Sequence, residues 1–256
     1  MKFFGFLKEA FEVLKRNPKL FLPKLAVAGI YGVSLVLGAI ILRDFMPIVA
    51  SINNSSLTSE QLLFLSRAVP FMLFSFFWLV FSLSADVFVN AMYPVLLRDF
   101  KAKRRISLSR AFRGARKRSL VVFPAVFLAL LPLALLLEAA FFLSSAPALF
   151  VFLIVALAAT LLYGFAFYYI YPVLVLEKVS VFSGLKRSVS TSAANASVTL
   201  KASVIPFAVS LLNLYLAFDI FNPLNFFLFV STRFFIAVLS AYNMVLNPVL
   251  YLGVKE

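Results

Sequence analysis

Residues 69–97 read VPFMLFSFFWLVFSLSADVFVNAMYPVLL, an apolar run interrupted by a single charge, Asp86. A helix rising about 1.5 Å per residue needs roughly 20 residues to cross the hydrocarbon of a bilayer, so this segment is long enough to span one. Outward from it, comparable runs occupy 20–42, 120–143, 149–176 and 226–252. A further run starts between Val198 and Ala202 and ends near Phe218. The chain is 63% hydrophobic and 13% charged, whereas soluble domains carry about 25% charged residues. A water-soluble fold is therefore not expected. The sequence predicts an all-α membrane protein with six transmembrane helices, the whole of 1–256 forming one transmembrane domain. The run at 20–42 exceeds a signal-peptide core in length and is expected to stay in the mature chain.

Basic residues orient the chain, because Lys and Arg gather in the cytoplasmic loops of membrane proteins. Six precede or open the first span (Lys2, Lys8, Lys15, Arg16, Lys19 and Lys24), and ten lie between Arg98 and Arg118. With Lys178, Lys186, Arg187, Lys201 and Lys255, 21 of the 24 basic residues fall on one side. Only Arg43 and Arg67 lie opposite, and Arg233 lies within a span. Six crossings in a cell membrane, with both termini cytoplasmic, fit this distribution. The net charge of +14 also raises nucleic-acid binding. Segregation of the charge by loop argues against it, and membrane lipids, including anionic headgroups at the cytoplasmic face, are the expected partners.

An internal repeat is also visible: a basic amphipathic segment, a shorter span, a turn, and a longer span ending in proline. The endings are Tyr93-Pro94-Val95-Leu96, Tyr171-Pro172-Val173-Leu174 and Asn247-Pro248-Val249-Leu250, with the prolines 78 and 76 residues apart. Pro94, Pro172 and Pro248 are read as helix-kink prolines, since each lacks the amide that closes its helical turn. Three hairpin units follow, about 1–98, 99–176 and 177–256. Prolines are common in membrane helices, and apolar sequences align readily by chance. Parallel repeats of this kind share a general plan with the mitochondrial carriers. The signature of that family is not matched at Pro94 to Asp99, and the assignment is rejected.

Phe3, Phe4, Leu7, Phe11 and Leu14 recur at helical spacing among Lys8, Glu9, Glu12, Lys15 and Arg16. They predict a helix lying in the membrane interface, acting either as an anchor or as a sensor of headgroups. Residues 106–118 repeat the pattern, with Ser107 or Ser109 as its cap. Residues 188–203 are rich in Ser, Ala, Thr and Asn, lack an apolar stripe, and predict a broken turn.

Charges within spans mark candidate sites, because burying them in hydrocarbon is costly. Asp86 has Ser82 and Asn90 one turn to either side on the same face, and no charged partner on its own span. The three form either a polar intramembrane site or a structural hydrogen-bonded cluster. Pro94 withholds the amide that would bond the Asn90 carbonyl, which adds an acceptor to the stripe. Arg233, Glu138 and Asp219 fall at similar distances from their prolines and predict an ion pair near the outer face. The chain has no Cys and no His. It also lacks a glycine-rich phosphate loop, paired carboxylates and a metal motif, so neither an enzyme nor a cofactor is expected.

The opening Phe6-Leu7-Lys8-Glu9-Ala10-Phe11, followed by Arg16-Asn17-Pro18-Lys19-Leu20-Phe21, resembles the start of a broad group of uncharacterised prokaryotic polytopic membrane proteins. That group is similar to the membrane portion of glycerophosphodiester phosphodiesterases. The soluble barrel that carries catalysis in those enzymes has no counterpart in this sequence. Two function classes remain: binding or transport of a small solute, ion or lipid, and a non-transporting role that organises lipid or partner proteins.

Overall fold

Helix is the only regular structure among the residues that the computed structural model describes, which are 3–52, 59–139, 146–217 and 223–254. In order they form α1 (Phe3–Arg16), a 3-10 turn (Pro18–Phe21), α2 (Leu22–Ile52), α3 (Ser59–Lys101), α4 (Leu108–Ala139), α5 (Ala146–Ala166), α6 (Ile170–Leu176), α7 (Val181–Ala194), α8 (Ala196–Ala217) and α9 (Pro223–Gly253). Four stretches of the described residues are long and apolar enough to cross a membrane: Pro18–Gly38, Ala68–Lys101, Ile154–Leu176 and Phe226–Gly253. Large apolar side chains such as Phe76, Phe77, Leu162 and Phe227 point outward from these helices. That arrangement suits lipid rather than water.

The core lies at the end of the bundle where the three proline motifs meet. Tyr93, Leu96, Val173, Leu174, Leu246, Val249 and Leu250 are buried together, joined by Ala111 and Ala115 of α4. Small residues let the helices approach closely here, as is usual in membrane bundles. A Cβ on Gly184 of α7 would run into the Leu174 side chain, and one on Gly253 would run into the Phe6 ring. The Tyr93 hydroxyl donates to the Leu20 carbonyl at 2.8 Å and ties the 3-10 turn to α3. Pro94 and Pro248 sit inside continuous helices.

Span four differs from the sequence expectation, because it is broken. The helical ladder stops at Ala166 and resumes at Ile170. Pro172 falls in the first turn of α6, where it cannot offer an amide to the Tyr168 carbonyl four residues earlier. Asn247 fills that role, since its side-chain amide donates to the Tyr168 carbonyl. Asn243, one turn earlier on α9, accepts from the Tyr168 hydroxyl at 3.2 Å. On the other side of the break, the Ser188 and Ser192 hydroxyls both donate to the Ala166 carbonyl at 3.3 Å.

Two amphipathic segments are also placed differently from the sequence reading. On α1 the buried stripe is Phe6, Ala10, Val13 and Leu14, packed onto α9, while Phe4 and Phe11 point outward. The helix is thus a structural brace, with the Tyr242 hydroxyl donating to the Leu7 carbonyl at 3.1 Å. Residues 108–118 are continuous with the apolar run that follows them, making one helix, α4, because nothing between them interrupts the ladder. Ser107 is its cap, accepting from the Arg110 amide at 3.3 Å. The break expected in 188–203 is confined to Asn195 between α7 and α8. The stripe there is polar: Ser188, Ser192, Thr199 and Ser203 are all buried.

Replacing Asn247 with Ala strands the Tyr168 carbonyl in the core, and an orphaned buried acceptor costs about 1–3 kcal/mol. Denaturant unfolding in detergent should show a loss of that size, and unchanged stability would refute the role given to this amide.

Candidate functional site

Helical periodicity builds the walls of a polar cavity from two stripes. Lys24, Val27, Ala28 and Tyr31 recur at three- and four-residue intervals along α2, and Arg233, Ile236, Ala237 and Ser240 do the same along α9. Asp86 of α3 closes the third side. The space is a half-open cleft of about 310 Å³.

At its centre is an ion pair. Lys24 Nζ donates to Asp86 Oδ1 at 2.6 Å, and the Lys24 residue is only 6% exposed. Lys24 is the third residue of α2, directly after Pro23, whose missing amide is tolerated in a first helical turn. It lies six residues into the candidate span Pro18–Gly38. The sequence reading counts Lys24 with the basic flank. Its burial and its partner make it a site residue instead, and Asp86 is not the isolated acid that its own span suggests.

Asp86 has a second contact. Its Oδ2 accepts from Asn90 Nδ2 at 3.3 Å, and the same amide group donates to the Tyr171 hydroxyl at 3.3 Å. Asn90 is buried, and its Oδ1 has no hydrogen-bond partner among the described residues. The amide thus links the ion pair to α6 from behind the cavity wall. Ser82, the third member of the stripe, is fully buried and turned elsewhere: its hydroxyl shares a 2.8 Å hydrogen bond with Ser34 and donates to the Trp78 carbonyl at 2.8 Å. Trp78 Nε1 donates to the Ile30 carbonyl at 3.3 Å. Ser82 therefore fastens α2 to α3 and does not line the cavity.

Arg233 lines the cavity beside Lys24 and Asp86. Its two expected partners, the Glu138 side chain and Asp219, lie outside the described residues. Pro94 and Pro248 are buried in the core next to the site, and Pro172 forms the start of α6, which carries Tyr171.

The lining brings two cations and one carboxylate to a single space. Ammonium and guanidinium groups donate charge-assisted hydrogen bonds to anions, and the guanidinium can do so bidentately. Among the described residues, no cluster of three or more metal-ligating side chains forms. Comparisons with protein-family models, with curated proteins and with solved structures found no match.

Removing one partner of a buried ion pair leaves an uncompensated charge, at a cost of roughly 3–5 kcal/mol. Because Asp86 is partly exposed to the cavity, the lower end applies. Lys24→Met should destabilise the protein by about 3 kcal/mol, and adding Asp86→Asn should restore part of that loss. A double-mutant cycle that is additive in detergent unfolding would show that the pair is not coupled.

Proposed function

We propose that this protein is a six-span membrane protein, with both termini cytoplasmic, that binds or moves a small solute, ion or lipid through the cavity between α2, α3 and α9. The observation that carries this reading is the part-buried Lys24–Asp86 pair, joined at 2.6 Å and facing a space of about 310 Å³ with Arg233. Ionisable groups inside membranes are costly and mark pathways or ligand sites by default. A purely structural pair would be expected to pack against apolar atoms on all sides.

Six spans rather than four rest on the apolar halves of α4 and α8, whose remaining lengths meet the requirement once the sequence through 143 and 218 is counted. The distribution of Lys and Arg supports the orientation. A threefold repeat belongs to the same proposal, as does membership of the broad prokaryotic group named above. It draws support from the convergence of the Pro94, Pro172 and Pro248 motifs in one core.

A second reading, a non-transporting component that organises lipid or partner proteins, has its own observation. The core around Tyr93, Leu174 and Leu250 is fully buried, as a rigid scaffold requires.

The chain contains no cysteine, so single cysteines report cleanly. With a membrane-impermeant thiol reagent, cysteines at Lys103 and Ser55 should label from opposite sides. Cysteines at Ala237 and Ser240 should label from at least one side, and a cysteine at Ser82 should resist. Protection at 237 and 240 in folded protein favours the scaffold reading, and labelling of 103 and 55 from one side overturns the topology.

A further inference from the structure

A second basic space lies at the end of the bundle, away from the Asp86 cavity. It measures about 440 Å³ and is lined by Lys19, Arg105, Ser107 and Arg110, with Ile106 and Leu108 as its apolar floor. No acidic residue contributes to this lining.

The backbones that carry these cations are fixed. Lys19 sits in the 3-10 turn, which is closed by the Leu20 amide donating to the Asn17 carbonyl at 3.0 Å. The Asn17 side-chain amide holds the preceding turn through the Val13 carbonyl at 3.0 Å. After α3, Lys103 adopts the left-handed conformation, with φ at 54°, and the Arg104 amide returns to the Asp99 carbonyl at 2.9 Å. This reversal brings Arg105 back over the helix end. Arg110 is aimed by its Nη1, which donates to Asp99 Oδ2 at 2.9 Å, while about half of the side chain stays exposed. Two of the three cations are carried on short, hydrogen-bonded connections and the third on the first turns of α4, where only the Arg110 side chain is itself held by a hydrogen bond.

Depth in the membrane decides the ligand class. Lys19 is the second residue of one candidate span, and Arg105 lies four residues beyond the end of another. A bilayer spanned by these helices places its phosphate layer at this level. We propose that the cleft of Lys19, Arg105 and Arg110 binds a phosphate group, and that its source is the headgroup of an anionic phospholipid. Basic pockets between helices at a membrane boundary recognise such headgroups. Guanidinium groups match the geometry of phosphate oxygens, and the apolar floor of Ile106 and Leu108 suits the glycerol and upper acyl region.

The test uses the full chain in a neutral detergent, titrated with phosphatidylglycerol or phosphatidylcholine, with native mass spectrometry counting retained lipid. Wild type should retain one phosphatidylglycerol at least about tenfold more tightly than phosphatidylcholine. The double variant Lys19→Gln/Arg105→Gln should lose that preference. Arg113→Gln/Lys117→Gln, which removes equal charge from exposed positions of α4, should keep it. Lys19→Arg/Arg105→Lys, which preserves charge, should also keep it and guards against a folding artefact. Inorganic phosphate at millimolar concentration distinguishes the sources: failure to displace the lipid identifies a headgroup site. Displacement identifies a site for free phosphate and overturns the assignment to lipid. Equal retention by wild type and the Lys19→Gln/Arg105→Gln variant overturns the site, as does an equal loss in the exposed control.

Discussion

Hydrocarbon offers no hydrogen-bond partners, so every interruption of a helix in this chain must be answered by another side chain. The break at 167–169 is the clearest case. Ala166 and Tyr168 present carbonyls that the ladder no longer satisfies, and they are met by Ser188 and Ser192 from α7 and by Asn247 from α9. These bonds set the rotation of α7 and the register of α9 against α6. The close approach of Gly184 to Leu174 then follows from the same placement. One irregular segment thereby organises four helices. It is also the place where a polar substitution elsewhere in the core could find no substitute partner.

The ion pair obeys the same constraint in electrostatic form. An Asp on α3 and a Lys on α2 are each expensive alone, and pairing at 2.6 Å makes both tolerable. The pair is extended by Asn90 and Tyr171 into α6 and is set against the hydroxyl ladder of Ser34, Ser82 and Trp78 that joins α2 to α3. Polar groups in this bundle therefore serve two purposes that are separated in space. The ladder is centred on the buried Ser82 and its bonds run only between α2 and α3 or within them. The Asp86 carboxylate, by contrast, keeps about 29% of its side-chain surface toward the cavity.

Legibility in the sequence follows from which signals are local. Long apolar runs make the all-helical, membrane-embedded character plain, since bilayer thickness alone dictates their length. Asp86 stands out because the one carboxyl in a 29-residue, largely apolar stretch has no other reading than a site or a partnered structural group. Lys24 does not stand out, because a charge near the end of a span reads equally well as a topological flank. Its position after Pro23, inside the apolar run at 20–42, was the available signal. Pro172 marks a kink in the sequence, but the place and extent of the break before it are not legible: the aromatic segment 165–171 carries no glycine or proline, and the bonds that stabilise the break come from residues 188, 192 and 247. The seryl stripe of α7 and α8 shows how periodicity can mislead when only apolar residues are counted. Its spacing is helical, but its members are small and polar because their partners are the Ala166 and Leu200 carbonyls and the Tyr169 hydroxyl.

The chemistry left over once these bonds are made narrows what the cavity accommodates. Asp86 uses Oδ1 for Lys24 and Oδ2 for Asn90. Each oxygen keeps a further lone pair, yet a cationic ligand there would meet the like charges of Lys24 and Arg233. Lys24, by contrast, carries three donors, of which one is directed at Asp86. An anionic or hydroxyl-bearing group can add to the remaining donors without breaking the pair, and Ser240 on the facing stripe can donate or accept beside it. On the proposed reading, the charge of the lining favours a ligand with a negative or strongly accepting group, met by Lys24 while Asp86 holds that lysine in place.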